Sequence, residues 1–256
     1  MHFSILRSLA IASLCAAMLP ARAQESPGAD LTELSLEQLL DVKVTGASRF
    51  AQSTSDAPAS VSVLTAEDFH RYGWRTLAEG LRSVRGIYVT YDRAYSYAGI
   101  RGFQRVGDFN SRILLLIDGY RVNDNIFDQA FLGGEFPVDV DLIERVEIIR
   151  GPGSSIYGGN ALFGVINVIT KSASAVGAPE LGGSIGSFGS REGRVAYAHA
   201  AENGASLVLS ASKYHSDGPT LSFPGEPSSG GRAVADTDWE DRYRVFGKFE
   251  FEGLHV

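Results

Sequence analysis

Two glycine-rich segments are the first places where the residue types of this sequence could support chemistry. Residues 182–186 read Gly-Gly-Ser-Ile-Gly and match the G-x-S-x-G pattern of hydrolase nucleophile elbows, which need a strand before the serine and a helix after it. The residues that follow are typical of a turn and a strand, so we expect a glycine-rich strand. Residues 151–159 hold four glycines but lack the Lys-Ser/Thr ending of a phosphate loop and the third glycine of a dinucleotide loop.

The histidines beyond the first residues are scattered and have no H-E-x-x-H or other zinc-site spacing. These are His70, His199, His215 and His255. Since no catalytic constellation remains, we expect that the protein is not an enzyme and holds no cofactor and no metal.

Arginines and aromatic residues are the remaining candidates for functional residues, and we expect them to bind partners rather than to catalyse a reaction. Arg101 and Arg150 each precede a glycine, so the backbone can turn sharply beside a guanidinium and a partner can approach closely. Composition alone favours two solvated surface arginines. Two loop-like segments, residues 91–98 and 123–131, offer aromatic surface for a large ligand with polar edges, although protein packing explains them equally well. The aromatic residues concerned are Tyr91, Tyr95, Tyr97, Phe127 and Phe131.

Composition and the N-terminus limit the setting in which these residues work. The 256 residues include 23 Lys+Arg, 30 Asp+Glu and one Cys, and this acidic balance argues against nucleic acid as a partner. Residues 1–23 are typical of a cleaved signal peptide that ends at Ala21-Arg22-Ala23. We therefore expect an exported protein whose mature chain lacks Cys15 and all disulfide chemistry.

Local signals in residues 57–171 predict a small mixed α/β domain. Thr65 and Asp68 have capping-box spacing for a helix that ends near Gly73, and a second helix is expected from Thr76 to Gly86. Asp-Gly at 118–119 predicts a type I′ hairpin. Strands are expected at residues 61–64, 113–117, 146–149 and 165–170, and a helix at 139–145.

The same domain resembles the plug domain of TonB-dependent outer-membrane receptors. The resemblance is carried by residues 142–171, LIERVEIIRGPGSSIYGGNALFGVINVITK, and by further segments in the family's order. These segments are residues 57–65, 76–81, 100–103 and 115–119. Residues 41–47, DVKVTGA, resemble a TonB box within a periplasmic segment at 24–56.

The resemblance implies an active importer in the outer membrane of a Gram-negative bacterium, with its plug and TonB box accessible from the periplasm. Its partners would be the energy-coupling protein TonB and a large nutrient such as an iron siderophore, haem or a corrinoid. TonB would bind Asp41, Val42, Val44 and Thr45. Arg101 and Arg150 would form ion pairs with carboxylates of the barrel wall.

Residues 176–256 predict about four antiparallel strands, at 181–187, 191–200, 207–214 and 243–251. In the last strand, Tyr243, Val245 and Phe249 face one way while Arg244 and Lys248 face the other. This alternation suits a strand between lipid and a wet lumen, and a soluble sheet with one buried face has the same period. The expected fold class is an α+β plug with a mixed sheet and short helices, followed by the first antiparallel strands of an outer-membrane β-barrel.

The length of the chain leaves two alternatives for its function: part of an importer with an incomplete barrel, or a plug without a barrel. A barrel of about 22 strands needs ~220 residues for its strands alone, so we expect that residues 176–256 are an incomplete barrel and that the chain is a fragment or truncated product. Outer-membrane lipid would be a partner of the full-length protein. The alternative is a barrel-less periplasmic plug module that binds TonB or ligand without transport.

Overall fold

The computed structural model describes residues 43–44, 52–53, 60–104, 107–222, 233–234, 236–251 and 254–255. The expected signal peptide and Asp41, Val42 and Thr45 of the expected TonB box lie outside the described residues. The strands are β1 Lys43–Val44, β2 Gln52–Ser53, β3 Ser60–Thr65, β4 Ile87–Tyr91, β5 Ser96–Ile100, β6 Ile113–Ile117, β7 Tyr120–Arg121, β8 Ile143–Arg150, β9 Gly164–Thr170, β10 Glu180–Ile185, β11 Arg191–Ala200, β12 Ser206–Ser216, β13 Leu221–Ser222, β14 Ala233–Val234, β15 Glu240–Phe251 and β16 Leu254–His255.

In the part of the chain that the structure describes, the helices are few and short. They are α1 Ala66–Tyr72, α2 Leu77–Leu81, α3 Ser154–Tyr157 and α4 Ala173–Val176, with a 3-10 turn at Val140–Leu142. Within the described ranges, no helix has the length and apolar character needed to cross a membrane.

Five strands form the sheet at the centre of the plug, in the order β3-β8-β9-β6-β7. β6 and β9 run parallel, and the other neighbours run antiparallel. Every residue of β6 is buried, because helices and loops cover one face of this apolar strand and α3 with its flanking loops covers the other. The plug therefore has the mixed sheet and short helices that the sequence predicts.

The strongest local signals fold as expected. Thr65 caps α1 in a reciprocal capping box with Asp68, and Gly73 ends the helix in the left-handed conformation at φ 67°. Asp118 and Gly119 have φ values of 49° and 84° between β6 and β7, as a type I′ hairpin requires.

Two expected helices differ from the structure. α2 begins after Thr76 as predicted but ends at Leu81, and i→i+3 bonds such as Val84 N to Leu81 O carry the chain on to Gly86. The expected helix at 139–145 is wrong: only Val140–Leu142 makes a 3-10 turn, and β8 starts at Ile143. Pairing with β3 on one side and β9 on the other overrides the local signal.

The second sheet consists of β10, β11, β12, β15 and β16 in that order, all antiparallel. The four strands predicted beyond residue 176 are confirmed, each within a few residues. Ala196, Ala198 and Val208 on its inner face belong to the same apolar core as Ile143 and Val176 of the plug. The sheet is thus packed directly on the plug.

Candidate ligand-binding surface

Two loops of the plug share one structural motif. In each loop, an aspartate accepts hydrogen bonds from backbone N–H groups of the residues that follow it. Asp92 Oδ1 accepts from Ala94 N at 2.9 Å and Tyr95 N at 2.7 Å. Asp124 accepts from Ile126 N, Phe127 N and Gln129 N at 2.6–2.9 Å. We call residues 92–95 and 124–129 the first and second Asx loops.

Hydrogen bonding keeps both aspartates ionised. The backbone N–H groups of Tyr95 and then Ala94 lower the pKa of Asp92, and the N–H of Phe127 does most to lower the pKa of Asp124. Tyr97 also donates its hydroxyl to Asp92 Oδ2 at 2.8 Å. Burial, followed by this hydrogen bond, raises the pKa of Tyr97 to about 12.

Aromatic rings join the two Asx loops. Phe109 lies between them, with its ring centroid 5.6 Å from that of Tyr95 and 5.7 Å from that of Phe127. The neighbouring Asn110 is buried; its Oδ1 accepts from Ala98 N at 2.9 Å, and its Nδ2 donates to Ser96 O and Ala130 O. The loops therefore form one continuous surface.

Of the five predicted aromatic residues, Tyr91, Tyr95 and Phe127 lie in or directly beside the Asx loops, and Phe131 lies two residues beyond the second loop. Tyr91 and Phe127 are 53% and 62% exposed, and Tyr95 and Phe131 are half-buried. Tyr97 is only 3% exposed, so it supports the first Asx loop from within and is not part of the exposed surface.

Sequence reasoning missed three features of this surface: Phe109, Asn110 and the exposed Ile126. A signal was present, because both Asx loops read Asp-x-x-aromatic, at Asp92-Arg93-Ala94-Tyr95 and at Asp124-Asn125-Ile126-Phe127. Phe109 and Asn110 adopt left-handed φ values of 53° and 58°, and the sequence gives only a weak signal for this backbone conformation.

A second region of interest is the contact between β15 and the plug. Arg244 donates from Nε to Phe136 O and from a terminal nitrogen to Gly134 O, both at 2.8 Å. Nearer the other end of the strand, Lys248 Nζ lies 3.4 Å from Asp118 Oδ2. At this interface the second sheet supplies the cations and the plug supplies the acceptors.

Arg101 and Arg150 lie elsewhere on the plug and contact each other. Arg101 donates to Arg150 O at 2.9 Å, while Arg150 donates to Ser62 Oγ at 3.0 Å and to Arg85 O. Burial, then the neighbouring charges of Arg101 and Arg85, lower the pKa of Arg150. Neither arginine has a carboxylate partner among the described residues, and its pairing with a barrel wall stays a prediction.

Comparison with known proteins agrees with this geometry. Residues 53–165 match the TonB-dependent Receptor Plug Domain family. The vitamin B12 transporter BtuB of Vibrio vulnificus (strain CMCP6) is 31% identical over 190 residues, which are 73% of this chain and 30% of that protein. The iron-regulated outer membrane virulence protein of Vibrio cholerae serotype O1 is 35% identical over 136 residues, which are 51% of this chain and 20% of that protein.

A solved structure extends the likeness to the fold beyond the plug. The pyoverdine outer membrane receptor FpvA of Pseudomonas aeruginosa PAO1, bound to pyoverdine, matches with a TM-score of 0.58 at 20% identity, over 83% of this chain and 28% of that chain. The chain spans less than a third of the length of the curated relatives described above. The family match, the curated relatives and the plug-on-sheet fold together place the chain among the TonB-dependent receptors.

Proposed function

We propose that this chain is the N-terminal part of an outer-membrane importer that takes up a scarce, large nutrient of the iron-siderophore, haem or corrinoid class. The observation that carries the proposal is the two-faced β15. Tyr243 and Val245 are 69% and 83% exposed on its outer side, while Arg242, Arg244 and Lys248 turn inward toward the plug. A strand between lipid and a hydrated lumen needs this division.

Strand length and the other outer residues support the same setting. β11, β12 and β15 have 10, 11 and 12 residues, close to the ~9–11 residues of a tilted membrane-spanning strand. Leu181 and Ile185 of β10 are 80% and 92% exposed. Apolar side chains of this size on an outer face favour lipid as their surroundings. The outer membrane of a Gram-negative bacterium is the corresponding location, and the family comprises receptors and transporters rather than enzymes.

The ligand would bind the surface formed by the two Asx loops. Tyr91, Tyr95, Phe127 and Phe131 supply aromatic area, and the tyrosine hydroxyls can bond to polar edges of a large ligand. Arg93 of the first Asx loop pairs with Asp238 at 2.8 Å, in the connection that leads into β15. This contact would place the ligand near the outer rim of the second sheet.

TonB would bind the segment around residues 41–47. Within it, Lys43–Val44 pairs antiparallel with Gln52–Ser53, so this backbone already has the extended form that adds to the edge of a partner's sheet. Asp41, Val42, Val44 and Thr45 remain the residues that we propose for TonB contact.

The alternative is a barrel-less periplasmic plug that binds TonB or ligand without transport. The outward apolar residues of β10 and β15 favour the importer, because a periplasmic protein would expose them to water.

Expression of the complete reading frame separates the two functions. We expect the product to fractionate with the outer membrane of a host that lacks its own nutrient receptors, and to support uptake of one labelled nutrient class only when TonB is present. A soluble periplasmic product without uptake would favour the alternative.

A further inference from the structure

We propose that the ligand of the aromatic surface carries no net negative charge: it is an uncharged or cationic complex with an apolar face. This inference rests on the proposed function and narrows its ligand class. It is carried by the charged groups around the two Asx loops, which make this surface electronegative.

Among the described residues of this region, carboxylates outnumber guanidinium groups eight to four. The region has three parts: the two Asx loops with the neighbouring Arg121, the segment that enters β15, and a cavity of about 210 Å³. The cavity lies beneath Tyr91, between α2 and β15. The carboxylates are Asp92, Asp124, Asp128, Glu79, Glu135, Asp236, Asp238 and Glu240, and the guanidinium groups are those of Arg82, Arg93, Arg121 and Arg242.

Three of the four arginines are already held by carboxylates. Arg93 pairs with Asp238 at 2.8 Å, Arg242 pairs with Glu240 at 2.8 Å, and Arg121 pairs with Asp128. An anionic ligand would have to separate these pairs before it could bind their guanidinium groups, which costs interaction energy at each pair.

Two of the carboxylates that remain, Asp92 and Asp124, are held in the charged form. Backbone N–H groups bind their oxygens and lower their pKa values, so their negative charge persists at neutral pH. Gly133 N also donates a hydrogen bond to Glu135 Oε1 at 3.2 Å.

The raised pKa of Tyr91 reflects its burial and then the negative electrostatic potential at the place where the ligand would bind. Burial is the largest cause that raises its pKa, and the next causes are the negative charges of Asp238, Glu240, Glu135 and Asp92. An anion placed against the Tyr91 ring would meet the same repulsion that opposes ionisation of its phenol.

This surface selects among the ligand classes of the proposed function. Haem carries propionates and a ferric tris-catecholate is a polyanion, so both are disfavoured. A corrinoid such as cyanocobalamin is uncharged overall, and ferric trihydroxamates are uncharged or cationic, so both fit the charge of the surface. The aromatic rings provide the contact area for the apolar part of either ligand.

The test is equilibrium binding to outer membranes from cells that express the complete reading frame. The probes are cyanocobalamin, a cationic ferric trihydroxamate, a ferric tris-catecholate and haemin, and each is measured at low and at high ionic strength. We expect cyanocobalamin or the trihydroxamate to bind with the lowest Kd, and binding of a cationic probe to weaken as salt screens the surface.

A double variant probes the charge directly. Glu135→Gln with Asp236→Asn keeps the shape of both side chains and removes two negative charges; we expect the cationic probe to bind on the order of 3- to 10-fold more weakly and cyanocobalamin to bind unchanged. Asp241→Asn is the matched control, because Asp241 is exposed on the outward side of β15 with Tyr243 and Val245. The control should change neither affinity.

The outcomes separate this inference from the proposed function. TonB-dependent import of haem or the tris-catecholate, with tightest binding of that anion, would preserve the importer and overturn the charge inference. Failure of all four probes to bind would overturn both.

Discussion

At the residue level, Asp92 and Asp124 shape the two Asx loops because short acceptor side chains can satisfy backbone N–H groups that a tight loop leaves unpaired. In each loop, the aromatic residue three positions after the aspartate lies at the surface of the loop. Tyr97 adds a hydroxyl donor to Asp92 from below, which couples a buried phenol to an exposed loop.

This coupling predicts a pH dependence for Tyr97. Its pKa in the folded protein is about 12, above the ~10 of an unfolded chain, so its stabilising contribution is complete below pH ~10 and is lost as the pH rises toward 12. We expect Tyr97→Phe to remove the last phenolate absorbance step in an alkaline titration. Tyr72→Phe, at a 63% exposed tyrosine, is the control, and an unchanged last step in Tyr97→Phe would contradict the assignment.

At the element level, β15 contacts the plug through several side chains on its inner face. Arg244 binds two plug carbonyls and Lys248 reaches Asp118 and Thr170. These contacts are separate hydrogen bonds and ion pairs between partly buried groups, so we expect that they can break one at a time under a pulling force.

Loss of the Lys248 contact should loosen the plug. We expect Lys248→Met to destabilise the plug–sheet contact by about 1–2 kcal/mol, because Asp118 loses its cation while the alkyl chain of the side chain is retained. In the full-length protein, limited proteolysis of the plug should then begin at a lower urea concentration. Lys213→Met on the outer side of the neighbouring β12 is the matched control, and an equal shift in both variants would exclude a specific role.

The extended segment at Val44 makes a separate prediction. Val44→Pro removes a backbone donor and fixes φ, so we expect binding to the TonB C-terminal domain to weaken by at least tenfold in a pull-down or titration with the full-length receptor. Val44→Ile, which keeps the donor and the β preference, should bind normally. Equal binding by both variants would reject strand addition at this position.

The sequence predicts elements whose causes are local and misses those whose causes are distant. The caps of α1 and the Asp118-Gly119 hairpin depend on residues within four positions of each other, and both are confirmed. The start of β8 depends on β9, whose Thr170 pairs with Ile143, and the local pattern at 139–145 favours a helix instead. Phe109 joins the Asx loops through contacts that no short motif records, and the carbonyl partners of Arg244 carry no side-chain signal at all.

At the scale of the whole molecule, the two faces of the second sheet lie in different surroundings. Its inner face shares a core with the plug, and its outer face exposes Leu181, Ile185 and Val245. The full-length protein would resolve this by placing the outer face in lipid.

Val245→Lys tests that placement. A lysine on a lipid-facing position of a barrel costs ~2–4 kcal/mol near the bilayer midplane, so we expect less heat-modifiable, assembled receptor in the outer-membrane fraction. Arg242→Lys, which keeps a cation on the inner face of the same strand, should assemble normally. Wild-type assembly of Val245→Lys would show that this face does not meet lipid.

The strand order of the plug sheet also determines when the plug can fold. β8 and β9 occupy positions between β3 and β6, yet both are synthesised after them, and Ser60 finds its partner only at Arg150. The central strands are therefore the last of this sheet to leave the ribosome, and the earlier part of the plug has no complete sheet to join. Such long sequence separations slow folding, so we expect the nascent plug to remain unfolded and able to be exported until its final strand is present.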